Sequence, residues 1–270
     1  MSKPTRFVQP FQNYEILDRL GSGGMGTVFR ARRKSDGRIV ALKVLRPSLS
    51  RNKRYVERLK REAEISIRMD HHALVKGLEF GEEKGYHFLA MEFVDARSLK
   101  ELLRNWGRFP MEQILDVGKQ CTEALQCIHD QGVVHRDIKP GNILIDDEGH
   151  IWLTDLGLAK GGEDPSLTRD GATIGTPQYM SPEQARDPAS VDERSDLYSL
   201  GATLYHMATG QPPFQAETVG KLIHSVLHER IPPASELNPM LDPGFDLVLR
   251  KLLMRDPGQR YESARELLQD

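Results

Sequence analysis

Cysteine is scarce in this chain, with only Cys121 and Cys127 among 270 residues. They lie six apart in an apolar-periodic segment. That is neither a metal-ligand spacing nor a disulfide framework, and both read as buried helix positions. The fold must then be held by its core, for which 39% hydrophobic residues suffice. A long hydrophobic run is also missing. Nothing approaches the ~20 apolar residues of a membrane span, and Met1 to Pro10 lacks the apolar centre of a signal peptide. There is no basic excess either: 37 basic against 39 acidic residues give a formal charge of −2. This removes the broad electrostatic case for binding nucleic acid. Repeats and low-complexity tracts are absent, and 28% charged residues is ordinary for a globular chain, so wholesale disorder is excluded. These absences point to a reducing, cytoplasmic setting, with no nucleic-acid or membrane contact by this stretch.

What is present divides the chain into two textures. Residues 1–13 read as a tail. From Tyr14 to Lys43 the pattern is strand-like, broken by a glycine cluster and a turn at Ser35-Asp36-Gly37. Residues 53–69 place Val56, Leu59, Ala63 and Ile67 on one helical stripe. His71 to Phe80 and Tyr86 to Val94 read as strands. Beyond Ser98 the pattern becomes helical, over 111–130, 195–209, 217–229, 245–255 and 262–269, with Ser263 and Glu266 forming a capping-box pattern. Short strands are expected at Val133-Val134, Ile143–Ile145 and Ile151–Leu153. Residues 160–190 read as an unusually long polar loop, a feature that is usually functional. The expected fold class is α+β, with a small β-rich N-terminal lobe carrying one main helix and a larger, mainly helical C-terminal lobe.

Gly21-Ser22-Gly23-Gly24-Met25-Gly26 matches G-x-G-x-x-G. Residues without side chains let backbone N–H groups approach phosphate oxygens, although the same run fits a flexible hairpin turn. A dinucleotide-binding unit needs a helix straight after the glycines and an acid about twenty residues on. Here Thr27-Val28-Phe29-Arg30 alternates like a strand, and Val44 to Leu49 holds no acid. A hairpin lid over phosphates survives, closed by Val28. Seventeen residues after Gly26, Val40-Ala41-Leu42-Lys43 ends an apolar strand on an ammonium, where phosphate oxygens or plain solvent could meet it. Further on, His135-Arg136-Asp137-Ile138-Lys139-Pro140-Gly141-Asn142 packs polar groups between the apolar pairs Val133-Val134 and Ile143-Leu144. Groups so placed must satisfy each other, a metal or a ligand. Asp155-Leu156-Gly157 follows, and Asp and Asn are hard oxygen ligands of the kind Mg2+ accepts beside phosphates.

As an ordered set these motifs resemble the protein kinase family. The glycine loop, the strand to Lys43, the loop from His135 to Asn142, Asp155-Leu156-Gly157 and Ser181-Pro182-Glu183 occur in the family's order, over about residues 14–270. Lys139 and Thr176 resemble the serine/threonine branch, and the runs from Gly175 to Ala185 and from Arg194 to Gly201 resemble the bacterial eukaryotic-like (Hanks-type) serine/threonine kinases. The resemblance implies a bilobal domain over 14–270, with an N-lobe of about 14–94 and a C-lobe of about 95–270. It implies ATP and Mg2+, with Mn2+ as a substitute, and protein substrates phosphorylated on Ser or Thr. Lys43 would orient the α- and β-phosphates and Glu62 would hold it, with Glu64 as runner-up. Asp137, beside Lys139, would accept or steer the proton of the substrate hydroxyl. Asn142 and Asp155 would bind the metal. Gly21, Ser22, Gly23, Gly24, Gly26, Val28, Ala41, Met91, Glu92, Val94 and Leu144 would bind the nucleotide, with Glu92 and Val94 offering backbone groups to adenine. Asp196 would anchor the catalytic loop, and Arg260 would pair with Glu183.

Arg136, beside Asp137, suggests control by phosphorylation of the long loop at Thr168 or Thr173, with Ser166 third. A homodimer is an expected vehicle for such autophosphorylation. Thr176 reads as structural. Leu156 stands where the family usually has phenylalanine, and Ser181 where it has alanine. Ser66 stands where a bulky apolar residue is usual, which could loosen the helix. The alternative reading is a pseudokinase scaffold that responds to nucleotide, against which Lys43, Glu62, Asp137, Asn142 and Asp155 all argue. His71-His72 reads as a solvated turn in preference to a metal site. The cluster Arg51, Lys53, Arg54, Arg58, Lys60 and Arg61 reads as a solvated helix face that could dock a phosphorylated loop. The fit of the chain to one domain suggests a catalytic domain from a longer parent, which could be tethered to a membrane.

Overall fold

A strand that is apolar on both faces belongs at the centre of a sheet, and Ile39–Leu45 is such a strand, with Lys43 its one charge. The computed structural model describes residues 11–156 and 177–270. In it, strands β1 (Tyr14–Ser22), β2 (Gly26–Arg33) and β3 (Ile39–Leu45) are followed by a short α1 (Pro47–Ser50), helix α2 (Lys53–Arg68) and strands β4 (Gly77–Glu83) and β5 (Tyr86–Glu92). The strands form an antiparallel sheet in the order β1-β2-β3-β5-β4, with β3 in the middle. One face buries Phe11, Tyr14, Ala31, Val40, Leu42 and Phe88. The other buries Ala41, Leu45, Leu89 and Met91 against Leu59 and Ala63 of α2. Asn52 caps α2 by accepting from the Arg54 N–H at 3.0 Å.

The chain divides into two compact units, residues 1–70 with 75–94, and residues 71–74 with 95–270. Within the first, α2 lies so close to β4 that Gly77 has no room for a side chain. A Cβ there would overlap the Ser66 hydroxyl and approach the Ile67 nitrogen. Ser66 is buried and donates to the Ala63 carbonyl at 3.1 Å. The small residue expected to loosen α2 is therefore one half of a close helix-to-strand contact. Gly77→Ala is expected to destabilise the protein by about 1–3 kcal/mol, read as a lower denaturant midpoint. Adding Ser66→Ala should recover part of the loss.

The expected strand from His71 is not formed: apart from an isolated bridge of Leu74 to Leu153, strand pairing begins at Gly77. The His71 ring accepts from the Ala73 N–H at 3.2 Å and its carbonyl from the Leu74 N–H at 3.0 Å, which makes a turn. The Ala73 carbonyl then accepts from the Leu153 N–H at 2.8 Å, which ties this segment to the second unit.

The second unit continues with β6 (Arg97–Ser98), α3 (Leu99–Trp106), α4 (Met111–His129), β7 (Ile143–Ile145), β8 (Ile151–Leu153), α5 (Pro182–Arg186), α6 (Glu193–Thr209), α7 (Val219–His228), α8 (Ala234–Leu237), α9 (Pro243–Leu252) and α10 (Ala264–Leu267). Strands β6, β7 and β8 form a small antiparallel sheet. Cys121 is buried on α4, and burial pushes its thiol up to about 12. Helix α6 is buried on all sides, including Ser195, Asp196, Ser199 and Thr203. A helix apolar or satisfied all round belongs at the centre of a helical layer. Among the described residues, no helix is long and apolar enough to cross a membrane.

Three expectations need correction here. Val133-Val134 forms no strand: the Val133 N–H bonds to the Ile128 carbonyl at the end of α4 at 3.3 Å, and the N–H groups of His135 and Arg136 that follow bond to the Asp196 carboxylate. The stretch read as a loop to residue 190 holds a 3-10 turn at Pro177–Tyr179, α5, and a second turn at Pro188–Ser190. The capping box expected at Ser263 is half made. Its hydroxyl accepts from the Glu266 N–H, but the Glu266 carboxylate accepts from the Glu262 N–H at 2.6 Å and is held by Lys251 at 2.9 Å. The complete box lies at Ser181 and Gln184, where each side chain accepts from the other residue's N–H. The hydroxyl that Ser181 brings in place of the family's alanine thus caps the helix that follows it.

Candidate active site

In the first unit the site is built on strand register. Val28 pairs with Lys43 and Ala41 with Met91, so these four side chains share the face of the sheet that α2 covers. Lys43 Nζ lies 2.7 Å from Glu62 Oε1, with side-chain exposures of 13% and 4%. Such a buried pair fixes the ammonium in one place. Glu64, the runner-up, is exposed on the outer side of α2. Gly21 and Ser22 end β1, Gly23 and Gly24 form the turn, and Gly26 opens β2. The Gly23 N–H donates to the Gly26 carbonyl at 2.9 Å, and the Arg46 guanidinium donates to the Gly23 carbonyl at 2.7 Å. The glycines are not equivalent. A Cβ at Gly26 would overlap the Val44 carbonyl oxygen, whereas Gly21 and Gly23 have open space around them. Packing therefore accounts for the last glycine of the motif and for neither of the first two. Met91 is buried at the end of β5. Glu92 and Val94 follow it, but the Glu92 N–H is committed to the Lys76 carbonyl at 2.9 Å, and the Glu92 carboxylate to Arg38 at 2.6 Å. The Glu92 N–H is therefore not available to a ligand.

In the second unit, the loop from His135 to Asn142 is fixed from behind and from within. Asp196 Oδ2 accepts from the His135 N–H and Oδ1 from the Arg136 N–H, both at 2.7 Å, and His129 Nε2 lies 2.9 Å from Oδ2. Arg136 adopts φ 66°, a left-handed conformation unfavourable for a residue with a side chain. The fully buried His135 ring accepts from the Asp137 N–H at 3.3 Å. Lys139 Nζ and Asn142 Nδ2 donate to the same oxygen of Asp137, Oδ2, at 2.8 and 3.0 Å. Asn142 also reaches the Asp137 carbonyl at 2.9 Å. Two donors on one oxygen fix the rotation of the carboxylate.

Asp155 is brought close by the backbone. The Thr154 N–H donates to the Asn142 carbonyl at 3.0 Å, and Asp155 takes φ 59°. With the Asn142 amide nitrogen turned toward Asp137, its amide oxygen is the group left to act as a ligand. One carboxylate and one amide oxygen suit Mg2+, which uses one or two protein carboxylates and draws other ligands from phosphates and water. Among the described residues no cluster of three or more His, Cys, Asp or Glu could hold a metal by itself, His71 and His72 included. Leu144 lies in the middle strand of the small sheet, and Leu156 is buried. Thr168, Thr173, Ser166 and Thr176 lie outside the described residues, as does Gly157.

The scaffold residues take the places the sequence suggested. Arg260 meets both oxygens of Glu183 at 2.7 and 2.8 Å, and Asp196 anchors the loop. Two contacts had no expectation in the sequence. Gln184 Nε2 donates to the Arg136 carbonyl at 2.9 Å, tying the Ser181–Gln184 turn to the catalytic loop. Ser98 caps α3 by accepting from the Glu101 N–H at 3.2 Å, and this Ser-x-x-Glu pattern was the available signal for that helix.

The protein kinase domain family matches residues 14–270. The chain is similar to serine/threonine-protein kinase PknD of Mycobacterium tuberculosis, 36% identical over 95% of this chain and 39% of that protein. It is similar to PknB of Mycobacterium leprae, 36% identical over 95% and 42%, and to PrkC of Bacillus subtilis, 34% identical over 95% and 40%. The chain thus spans about two fifths of the length of these relatives. The crystal structure of the Mycobacterium tuberculosis PknI kinase domain matches with a TM-score of 0.75 and 26% identity, over 100% of this chain and 98% of that one.

Proposed function

This chain belongs to the protein kinase family, and from that premise we propose that it is the catalytic domain of a serine/threonine kinase that transfers the γ-phosphate of ATP to protein hydroxyls. The observation that carries the reading is Asp137 Oδ2 gripped by both Lys139 and Asn142. A carboxylate held in one orientation at the centre of a buried-flanked loop can accept or steer a hydroxyl proton. Lys43, fixed by Glu62, would grip the α- and β-phosphates, and Gly21 to Gly26 would offer backbone N–H groups to phosphate oxygens. Val28, Ala41 and Met91 would present an apolar surface to adenine. Asn142 and Asp155 would hold Mg2+, or Mn2+ in its place, which when bound neutralises charge developing on the transferred group. In the transfer, the acceptor oxygen bonds to the γ-phosphorus as that phosphorus parts from the β–γ bridging oxygen. ADP leaves with the bonding electrons and the hydroxyl proton passes toward Asp137.

Incubation with Mg2+ and radiolabelled ATP should label dephosphorylated casein. Lys43→Met should lower the rate about 10²-fold, the scale of removing one electrostatic stabiliser. No transfer by the wild type with either Mg2+ or Mn2+ would sink the reading. After such incubation, mass spectrometry is expected to find phosphate on Thr168 or Thr173, or on Ser166, placed there in trans by a transient homodimer. An unmodified stretch from 160 to 176 would refute that regulation. ATP as the donor and two unbridged cysteines fit a cytoplasmic place of action.

A further inference from the structure

Helix α6 makes a further, partly buried polar contact about three turns beyond Asp196. The Tyr179 hydroxyl lies 2.6 Å from His206 Nδ1, and the rings stack 6.0 Å apart with 12° between their planes. Tyr179 is 7% exposed. Burial pushes His206 down to about 4, against the smaller effect of a hydrogen bond to the Gly210 backbone. The ring is therefore neutral at pH 7. With its proton toward the Gly210 backbone, it presents Nδ1 as an acceptor. Burial also raises the Tyr179 phenol, which keeps its proton and donates it.

Tyr179 closes the Pro177–Tyr179 turn, and the Ser181–Gln184 capping box follows directly. At its far end this segment is tied to the catalytic loop, one residue before Asp137, by Gln184. At its near end the Tyr179 hydroxyl ties it to α6. The segment is thus held beside the residue that precedes Asp137, where an acceptor hydroxyl reaching Asp137 would meet it, whereas Lys43, Glu62 and the glycine loop belong to the first unit.

We propose that His206 is a positioning residue for the protein acceptor: by accepting from Tyr179 it fixes the surface of Pro177–Gln184 that the acceptor meets. This rests on the kinase reading. Tyr179→Phe and His206→Ala should each raise KM for dephosphorylated casein about tenfold, the scale of one buried hydrogen bond. KM for ATP and kcat should stay within twofold, and the double variant should be no worse than either single one. His206→Asn, which offers an amide oxygen near the place of Nδ1, should restore most of the affinity. Hydrogen exchange at residues 178–184, measured without substrate, should quicken at least tenfold in His206→Ala and return toward wild type in His206→Asn. If exchange there is unchanged, or if KM for ATP rises in parallel with KM for casein, the proposal is overturned. Should the wild type transfer no phosphate, the kinase reading falls and with it the role toward an acceptor, while exchange still reports whether His206 fixes the segment.

Discussion

Asp137→Asn should lower phosphate transfer by about 10²- to 10⁴-fold, the range for a positioned acid–base group, without unfolding the protein or weakening nucleotide binding. The substitution keeps the shape of the side chain. Asn142 can still bond to the residue 137 carbonyl, which it meets at 2.9 Å, and the backbone stays fixed by His135 and Asp196. What changes is the charge and basicity of the group that Lys139 and Asn142 hold in place. An amide oxygen accepts a hydrogen bond but takes up a proton far less readily than a carboxylate. The Lys139 ammonium also loses its counter-charge at 2.8 Å. A rate assay with saturating ATP and casein, beside a titration of ADP, separates the two effects. A variant that retains more than a tenth of the wild-type rate would remove Asp137 from the chemistry.

The largest expected effect on stability lies away from the site. Arg260→Met should cost about 3–5 kcal/mol, because it strands one partner of a buried ion pair. The Arg260 side chain is fully buried. Its guanidinium bonds to both Glu183 oxygens and to the carbonyls of Arg194 at 2.9 Å, Met254 at 2.7 Å and Arg255 at 3.2 Å, and it lies 4.8 Å from the Tyr198 ring centre. Methionine fills much of the volume and satisfies none of these acceptors. Lysine would not rescue it, since one ammonium cannot reproduce the planar fork. The effect has a pH signature. Burial raises the Glu183 pKa, but the Arg260 guanidinium and the Ser195 hydroxyl outweigh it, and the net shift is downward. A depressed carboxylate contributes stability above its unfolded value of about 4.3 and loses it as pH falls through the folded value. The variant lacks that contribution, so the gap between the two proteins should be widest near neutral pH and narrow in acid. Chemical denaturation at pH 7 and pH 4 measures both, and an equal gap at the two values would contradict the assignment to Glu183.

Much of this arrangement was legible because chemistry fixes residue types at close spacing. Lys139 and Asn142 follow Asp137 within five positions, and a loop so polar between apolar pairs had to bond to itself. The partners Glu62, Asp196 and Arg260 were read from the order of the motifs, since no local rule links Asp196 to a loop 60 residues earlier. The contacts that escaped are set by packing between elements. Tyr179 and His206 are 27 residues apart, and neither carries a local signal for the other. Gly77 reads as an ordinary strand start until α2 is laid against it, and only then does a hydroxyl replace the missing Cβ. Of the strand expected over His71 to Phe80 only the part from Gly77 forms, because the apolar residues of this stretch serve two different units, a division invisible to alternation.

The left-handed backbones at Arg136 and Asp155 carry a consequence for breeding a hardier version of this domain. Each such residue costs about 1–3 kcal/mol where its surroundings hold it in place. A selection for heat tolerance alone would therefore favour glycine at both positions. At Asp155 that gain would delete the proposed metal ligand, and at Arg136 it would slacken the residue on which Asp196 and Gln184 converge. Heat tolerance and catalytic competence should thus trade against each other at these two positions, and thermal selection without an activity screen would lead to a sturdier, silent protein.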